Sequence, residues 1–340
     1  MSSVVQFHSI GGPEVLQVEE VPNEPPGLNQ ITIRVDAFGI NRAECMLRRG
    51  AYAFNPLFPC RIGTEGAGTV EAIGQDTHGY NIGDPVAIIP FVLADANGYW
   101  KDQSSKYGTY GEIATVPADA VVRVPSNLSS VTSAASWMQY LTAWGGLVYY
   151  AGVTPGDTVL VTAGSSSAAL GGLQLCKDIG ARVIAVTSSE KKVDRLLAAG
   201  ADNVLVRGRQ ELAPEVLEIT NGRGATVIYD PIAGPLASSL LASASPEARY
   251  ICYGDLNPTN TDFSASEALT KRINMKFYSL YDVTRRPELL QQAHEYVYHR
   301  LENNTFQPII DTVFEGLTSA ADAHRRMESN AQFGKIVVGL

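Results

Sequence analysis

Apolar and polar positions along this chain of 340 residues follow two rhythms, and the change falls near Ser129. Up to about residue 125 the apolar positions come in short runs, at 4–7, 16–21, 30–37, 68–73, 85–90 and 112–117. Turn-forming clusters such as Gly11-Gly12-Pro13, Glu24-Pro25-Pro26-Gly27 and Ile82-Gly83-Asp84 separate them. Such punctuation predicts a mostly-β, barrel-like domain with long loops. Residues 94–109, polar and rich in Gly, Ser, Lys and Tyr, form a loop that reads equally as a lid over a site and as a surface excursion.

Beyond Ser129 strand-like and helix-like stretches alternate. Residues 133–148 read as a helix with aromatics, and strands are predicted at 158–162, 182–187, 203–207, 225–230 and 249–253. Helical stretches such as 190–199 and 211–220 lie between them. Alternation of this kind builds a parallel, doubly wound sheet. A further strand is predicted at 275–281 and a long helix at 286–303, opened by Pro287. The last stretch, 309–340, mixes short strands with a helix at 319–329 and returns to the first domain. The domains are therefore expected at 1–128 with 272–340, and at 129–271.

The stretch 157–181 organises the second half. An apolar, β-branched strand is followed by the small residues Ala163-Gly164-Ser165-Ser166-Ser167-Ala168-Ala169 and then by a helix that Gly180 stops. A turn of this kind lets a pyrophosphate approach the backbone and rest on the helix N-terminus, which points to Gly164, Ser166, Ser167 and Ala168. Ser166 and Ala169 stand where a GxGxxG pattern has glycines, so an ordinary βα turn is the alternative.

Composition narrows the function. A net charge of -9 argues against a nucleic-acid partner and against an anionic membrane surface. No apolar run has the length of a membrane span and no leader pattern opens the chain, which predicts a cytoplasmic protein. Cys45, Cys60, Cys176 and Cys252 share no short spacing, so free thiols and no zinc site are expected. His294 and His299 read as a solvated helix face.

Taken together, Gly11-Gly12-Pro13-Glu14-Val15-Leu16, Gly39-Ile40-Asn41, Gly63-Thr64-Glu65-Gly66-Ala67-Gly68, Gly83-Asp84, Trp137-Met138-Gln139-Tyr140-Leu141-Thr142-Ala143, Tyr229-Asp230-Pro231 and Gln332-Phe333-Gly334-Lys335-Ile336 resemble the medium-chain dehydrogenase/reductases. The match runs the length of the chain and is most similar to the zinc-free quinone oxidoreductase (zeta-crystallin-like) branch. It implies an α/β protein: a GroES-like, mostly-β barrel catalytic domain plus a doubly wound Rossmann nucleotide-binding domain. The zinc branch carries Gly-His-Glu and Gly-Ile-Cys where this sequence has Thr64-Glu65 and Asn41. Alcohol oxidation then lacks its Lewis acid, whereas reduction of an activated C=C or a quinone needs a hydride donor and a hydrogen-bonded carbonyl.

The same resemblance implies a nicotinamide cofactor. At the end of the second nucleotide-domain strand stands Ser188 in place of the acid that holds an NAD ribose, with Lys192 and Arg207 near it, which suits the 2′-phosphate of NADPH. The alternatives are a solvated face for Lys191, Lys192 and Arg195, and a ribose contact from Glu190. Tyr253, Gly254, Phe277, Tyr278, Gly334 and Lys335 should flank the ribose and nicotinamide, although Lys335 reads equally as one charge on a surface strand.

Asn41, Tyr52 and Thr142 are the candidate catalytic residues, with Asn41 and Thr142 also against the cofactor. Asn41 should hold the carboxamide or a substrate oxygen, Tyr52 should donate a hydrogen bond or a proton, and Thr142 should sit by the nicotinamide ribose. Tyr52 lining an aromatic pocket with Phe54 and Phe58, and Thr142 packing a helix, are the plainer readings. Glu65 reads as a structural residue in its turn. Convergence of Tyr52, Phe54, Phe91, Tyr99, Trp100, Tyr140 and Tyr278 would suit a small apolar unsaturated carbonyl or quinone. An edge strand at 275–281 would pair across a two-fold axis in a homodimer. A carbonyl reductase or alcohol dehydrogenase of the same fold, and a non-catalytic NADPH-binding protein of crystallin-like or redox-sensing kind, stay open.

Overall fold

The structure, a computed structural model, describes residues 1–92, 107–209, 211–257 and 259–340. Its opening elements are β1 (Ser2–Phe7), β2 (Gln17–Val21), β3 (Gln30–Ile40), α1 (Arg42–Arg48), β4 (Cys60–Arg61), β5 (Gly66–Ile73), β6 (Pro85–Ile88), β7 (Ile113–Pro117), β8 (Val121–Arg123), α2 (Ser130–Ala134) and α3 (Trp137–Ala143). There follow β9 (Thr158–Val161), α4 (Ser167–Ile179), β10 (Arg182–Thr187), α5 (Val193–Ala198), β11 (Asn203–Val206), α6 (Leu212–Ile219), β12 (Ala225–Asp230) and α7 (Leu236–Ser243). Next come β13 (Ala244–Cys252), α8 (Ala265–Lys271), β14 (Asn274–Phe277), α9 (Tyr281–Thr284), α10 (Pro287–Glu302), β15 (Ile310–Glu315), α11 (Ala320–Glu328) and β16 (Lys335–Gly339). Two compact units result, one of residues 1–138 and 308–340, the other of residues 139–307.

In the first unit β3 is the spine. It is 11 residues long and pairs antiparallel with β5, β7 and β16, within a seven-stranded sheet ordered β15-β16-β3-β5-β6-β8 with β7 on β3. A three-stranded sheet, β2-β1-β4, accompanies it. Alternate apolar residues of β3, among them Ile31, Ile33, Val35 and Phe38, enter one buried cluster with Phe7, Val70, Tyr110, Val116 and Ile336. This is the expected barrel-like β domain.

The second unit holds a six-stranded sheet ordered β11-β10-β9-β12-β13-β14, parallel throughout. Counted from β9 this is the order 3-2-1-4-5-6 of a Rossmann sheet, whose switch point lies beside β9. The strands are buried apolar runs because helices cover both faces of such sheets; Val159, Leu160, Val183, Ile184, Val227 and Ile228 have no exposed surface. The Ser166 hydroxyl caps α4 by accepting from Ala169 N at 3.2 Å, and Gly180 ends it at φ 90°. Among the described residues no helix is long and apolar enough to cross a membrane.

Three expectations shift. The boundary expected at 272 lies at 308, because β14 pairs with β13 and so belongs to the parallel sheet. The strand predicted at 275–281 ends at Phe277, and it forms the sheet's edge with Phe277 exposed. The helix predicted at 133–148 is three pieces, α2, α3 and a π-helical stretch Trp144–Tyr150. The loop of 94–109 lies largely outside the described residues, and so do Tyr99 and Trp100.

The crossing of β3 and β5 leaves no room at Gly68, where a Cβ would sit 1.9 Å from the Arg34 carbonyl oxygen. Gly68→Ala is expected to destabilise by about 1–3 kcal/mol, against less than about 0.5 kcal/mol for Gly156→Ala, which faces open space. Denaturant unfolding of the two variants checks this; equal midpoints would refute the crowding.

Candidate active site

Strand register assembles the centre of the first unit. Antiparallel pairing sets Ile336 opposite Ile40 and Val337 opposite Gly39, so Lys335, at the start of β16, comes beside Asn41 at the end of β3. On the other side of β3, Phe38 pairs with Gly66 and Gly39 N donates to Glu65 O at 3.3 Å, which places Glu65 at the same end. Gly39 lets these side chains cross the strand: a Cβ there would lie 2.6 Å from Lys335 Cε and 2.9 Å from Glu65 Oε1.

The resulting group is buried and fully engaged with itself. Lys335 Nζ donates to Glu65 Oε1 in a very short contact and to Asn41 Oδ1 at 2.6 Å. Lys335 and Glu65 have no exposed surface. Asn41 Nδ2 donates to Glu65 Oε1 at 3.0 Å, and Met138 N donates to Glu65 Oε2 at 2.9 Å. Because an ammonium only donates, the Asn41 amide oxygen must face Lys335 and its NH2 the carboxylate. Lys335 is thus no surface charge, since the first position of β16 points beneath β3. Asn41 spends its amide inside the group, and Glu65 serves the structural role expected of it.

Next to this group lies Glu44, 2% exposed, in the first turn of α1. Its carboxylate accepts Asn41 N in a very short bond that closes the start of α1. It also accepts Thr64 N at 3.0 Å, Thr64 Oγ1 at 2.6 Å and Asn41 Nδ2 at 3.3 Å. Burial pushes the Glu44 pKa up to about 7, with the Glu65 charge adding to it and Thr64, Lys335 and Asn41 opposing it. Glu44 and Thr64 stand in the wall of a small cleft, with Ala43, Leu47, Tyr52, Phe54 and Phe91. Tyr52 and Phe54 meet edge to face at 5.1 Å.

The expected aromatic convergence is partial. Tyr52, Phe54 and Phe91 share the cleft, whereas Phe58 packs against Phe7 and is half exposed. Tyr140 is buried in the second unit, stacked on Phe306 at 4.4 Å. Tyr278, also in the second unit, is buried and donates to Leu141 O at 3.4 Å.

In the second unit the turn between β9 and α4 bends sharply, with Ala163 at φ 48°. Gly164, Ser166, Ser167 and Ala168 form the turn and the first residues of α4; Gly164 N and Ser166 N are taken by Val186 O and Ala163 O, and the start of α4 with its dipole suits an anion. The Tyr253 hydroxyl is buried, in a ring stacked on Tyr229 at 3.9 Å, and it hydrogen-bonds the side chains of Tyr229 and Ser166. A buried phenol next to a helix N-terminus fits a phosphate-bearing ligand. Gly254 follows it, where a Cβ would lie 2.9 Å from Pro231 O.

At the end of β10, Ser188 is exposed and Arg207 N donates to Thr187 O at 2.8 Å, so the exposed Arg207 borders Ser188. Lys192 Nζ donates to Ser165 Oγ at 2.9 Å, in the turn itself. Glu190 pairs with Arg209 at 2.5 Å, which takes it away from a ribose. Thr142 is buried in α3, and Phe277 is exposed on the edge of the sheet. Gly334 adopts φ 104°, and a Cβ there would lie 2.1 Å from Ile309 O, so its role is to let β16 begin at Lys335.

Sequence reasoning missed a second buried network in the first unit. Arg48, without exposed surface, donates through Nε to His324 Nδ1 at 3.3 Å, donates to Gly11 O at 2.7 Å and forms a very short pair with Glu328. His324 therefore carries its proton on Nε2, which donates to Tyr110 Oη at 3.2 Å. Burial and Arg48 lower the His324 pKa to about 3, so it is neutral. Cys45 Sγ lies 3.5 Å from it, although the sequence sets these residues 279 positions apart. The pair read as solvated divides: His299 is exposed and His294 is half-buried. All four cysteines are buried and none forms a disulfide.

Zinc does not fit this donor set. Asn41 and Thr64 offer an amide and a hydroxyl, and Glu65 is already neutralised by an ammonium that an added dication would repel. Among the described residues no group of three or more His, Cys, Asp or Glu side chains is placed to hold a metal ion.

Comparison with known proteins agrees with this architecture. Residues 27–126 match the alcohol dehydrogenase GroES-like domain family and residues 169–295 the family described as zinc-binding dehydrogenase. The quinone oxidoreductase of Sus scrofa is 27% identical over 340 residues, covering 99% of this chain and 98% of that protein. A solved NAD-dependent alcohol dehydrogenase is 28% identical with a TM-score of 0.89, and a mycobacterial protein solved with NADPH is 26% identical with a TM-score of 0.88. Each covers 100% of both chains. The chain belongs to the medium-chain dehydrogenase/reductase superfamily. Within it, the chain falls in the quinone oxidoreductase-like branch.

Removing the cation at the centre should be costly. Lys335→Met leaves Glu65 buried without its partner and is expected to destabilise the protein by about 3–5 kcal/mol, most of which Lys335→Met with Glu65→Gln restores. Denaturant unfolding checks this; a single variant as stable as the parent would refute it. For Glu44, the folded pKa of about 7 exceeds the ordinary carboxyl value of 4.5, so the folded state binds the extra proton between those values. Its contribution to stability is present below pH 4.5 and lost as pH rises through 7. The stability of the parent relative to Glu44→Gln is expected to fall across that window, and a flat difference would contradict the shift.

Proposed function

We propose that the protein is an NADPH-dependent oxidoreductase that passes hydride to a quinone or to the activated C=C of an enone or enoyl thioester, without a metal ion. The observation that carries this reading is the Lys335 ammonium held between Asn41 and Glu65. A fixed internal cation stands among the residues that replace the metal ligands of the zinc branch. Reduction of a conjugated carbonyl or quinone asks only for hydride, a polarised oxygen and a proton.

The cofactor assignment rests on the second unit. Gly164, Ser166, Ser167 and Ala168 would hold the pyrophosphate on the N-terminus of α4, with the Tyr253 hydroxyl beneath. Ser188 and Arg207 would take the 2′-phosphate, and Lys192 the phosphates near Ser165. Bound NADPH supplies the hydride. The mycobacterial relative solved with NADPH supports this choice.

For the substrate, the apolar lining of the small cleft by Leu47, Tyr52, Phe54 and Phe91 favours an apolar group over a charged one. Tyr52 and Thr64 are the hydroxyl groups on that wall able to hydrogen-bond a carbonyl oxygen. Thr142 is assigned to the nicotinamide ribose. The pig relative, named a quinone oxidoreductase, supports a quinone among the acceptors.

Nicotinamide absorbance followed with a para-quinone, an ortho-quinone and a linear enone tests the reading. Turnover is expected with NADPH and much less with NADH. Arg207→Ala should raise KM for NADPH by about tenfold while leaving the NADH reaction unchanged, as for loss of one charge-assisted phosphate contact. Equal use of both nucleotides, or an Arg207→Ala effect on both, would contradict the assignment.

A further inference from the structure

We propose that Glu44 stores the proton that completes the reduction and passes it into the cleft through the hydroxyl of Thr64. This rests on the reductase reading above and names the group that reading leaves open.

Charge count is the first argument. Glu44, Glu65 and Lys335 form one buried group linked by Asn41, with two carboxyl groups and one ammonium. Glu65 has the ammonium directly, so the site is neutral when Glu44 carries a proton. Burial raises the affinity of Glu44 for that proton into the neutral range.

Direction is the second. Of the groups bonded to Glu44, the Asn41 N–H, the Asn41 NH2 and the Thr64 N–H have no lone pair to receive a proton. Behind the carboxyl the Tyr110 phenol, kept protonated by burial and the nearby Glu44 charge, also hydrogen-bonds Glu44, but its oxygen accepts from His324 Nε2 and both rings are wholly buried, so that side leads away from the cleft. Cys45, held protonated by burial, and Arg48 close that side. The Thr64 oxygen, 2.6 Å from Glu44 Oε1, is both donor and acceptor, and Thr64 lines the cleft. With Glu44 ionised, the hydroxyl donates to the carboxylate; with Glu44 protonated, it accepts from the carboxyl and its own hydrogen turns outward.

The step balances. Hydride arrives from NADPH with both electrons and leaves the acceptor as an enolate or hydroquinone anion. The Thr64 hydrogen moves to that anion, the Glu44 proton moves to the Thr64 oxygen, and Glu44 is left as carboxylate. NADP+ and the neutral reduced product leave, and a solvent proton entering the cleft returns to Glu44 by the same hydroxyl.

Two readouts test this together. Carbon NMR of protein labelled at the glutamate carboxyl carbons, with Glu44 assigned from Glu44→Gln, should show Glu44 protonated at about pH 6 and titrating near 7. In the para-quinone and enone assays kcat should fall above the same midpoint. Thr64→Val should lower kcat at least about tenfold with KM changed less than about twofold, and Thr64→Ser should recover most of it. A Glu44 ionised throughout, in an active enzyme, overturns the relay alone; so does a Thr64→Val enzyme with the parent's kcat and pH profile. A Glu44 that titrates near 7 in a protein that reduces no acceptor overturns the reductase reading, and the relay with it.

Discussion

Everything in the first unit is arranged so that one ammonium can be buried. An ion taken out of water costs several kcal/mol, recovered only when its partners are close and its hydrogen bonds filled. Lys335 meets both demands through Glu65 and Asn41. The arrangement depends on two strand registers, β16 on β3 and β3 on β5, and on the missing side chain at Gly39. A one-residue slip in either pairing would turn Lys335 or Glu65 to the opposite face and leave the other charge alone.

The same interaction explains why the neighbouring carboxyl behaves differently. Glu65 takes the cation, and Glu44, joined to it through Asn41, has hydrogen-bond donors but no full counter-charge. The Glu44 carboxyl is thereby given a raised proton affinity by its position. In the second unit the start of α4 follows the β9–α4 turn, the ends of β10 and β11 carry Ser188 and Arg207, and Glu190 pairs with Arg209 at the surface.

Much of this was legible in the sequence. Buried parallel strands are continuous apolar runs, so β9, β10 and β12 were found nearly to the residue, and the small residues after β9 marked the turn into α4. Asn41, Glu65 and Lys335 stood out through their motifs. Their mutual contact did not, because Lys335 bonds Asn41 across 294 positions and no local pattern encodes that distance. Glu44 was missed although Asn41-Arg42-Ala43-Glu44 has the spacing of a capping box, since α1 is only seven residues long and shows little periodicity. His324 and Arg48 were invisible for the same reason as Lys335, lying 276 positions apart on helices whose buried faces hold polar residues. The boundary expected at 272 lies at 308 because no local pattern in the sequence shows that β14 pairs with β13.

The claim that an internal cation replaces a metal is tested most directly by measuring metal content and quinone reduction together, before and after exhaustive dialysis against a chelator. Full NADPH-dependent turnover at metal content far below one ion per chain is the expected result. Turnover that falls with the metal and returns on adding zinc would contradict it.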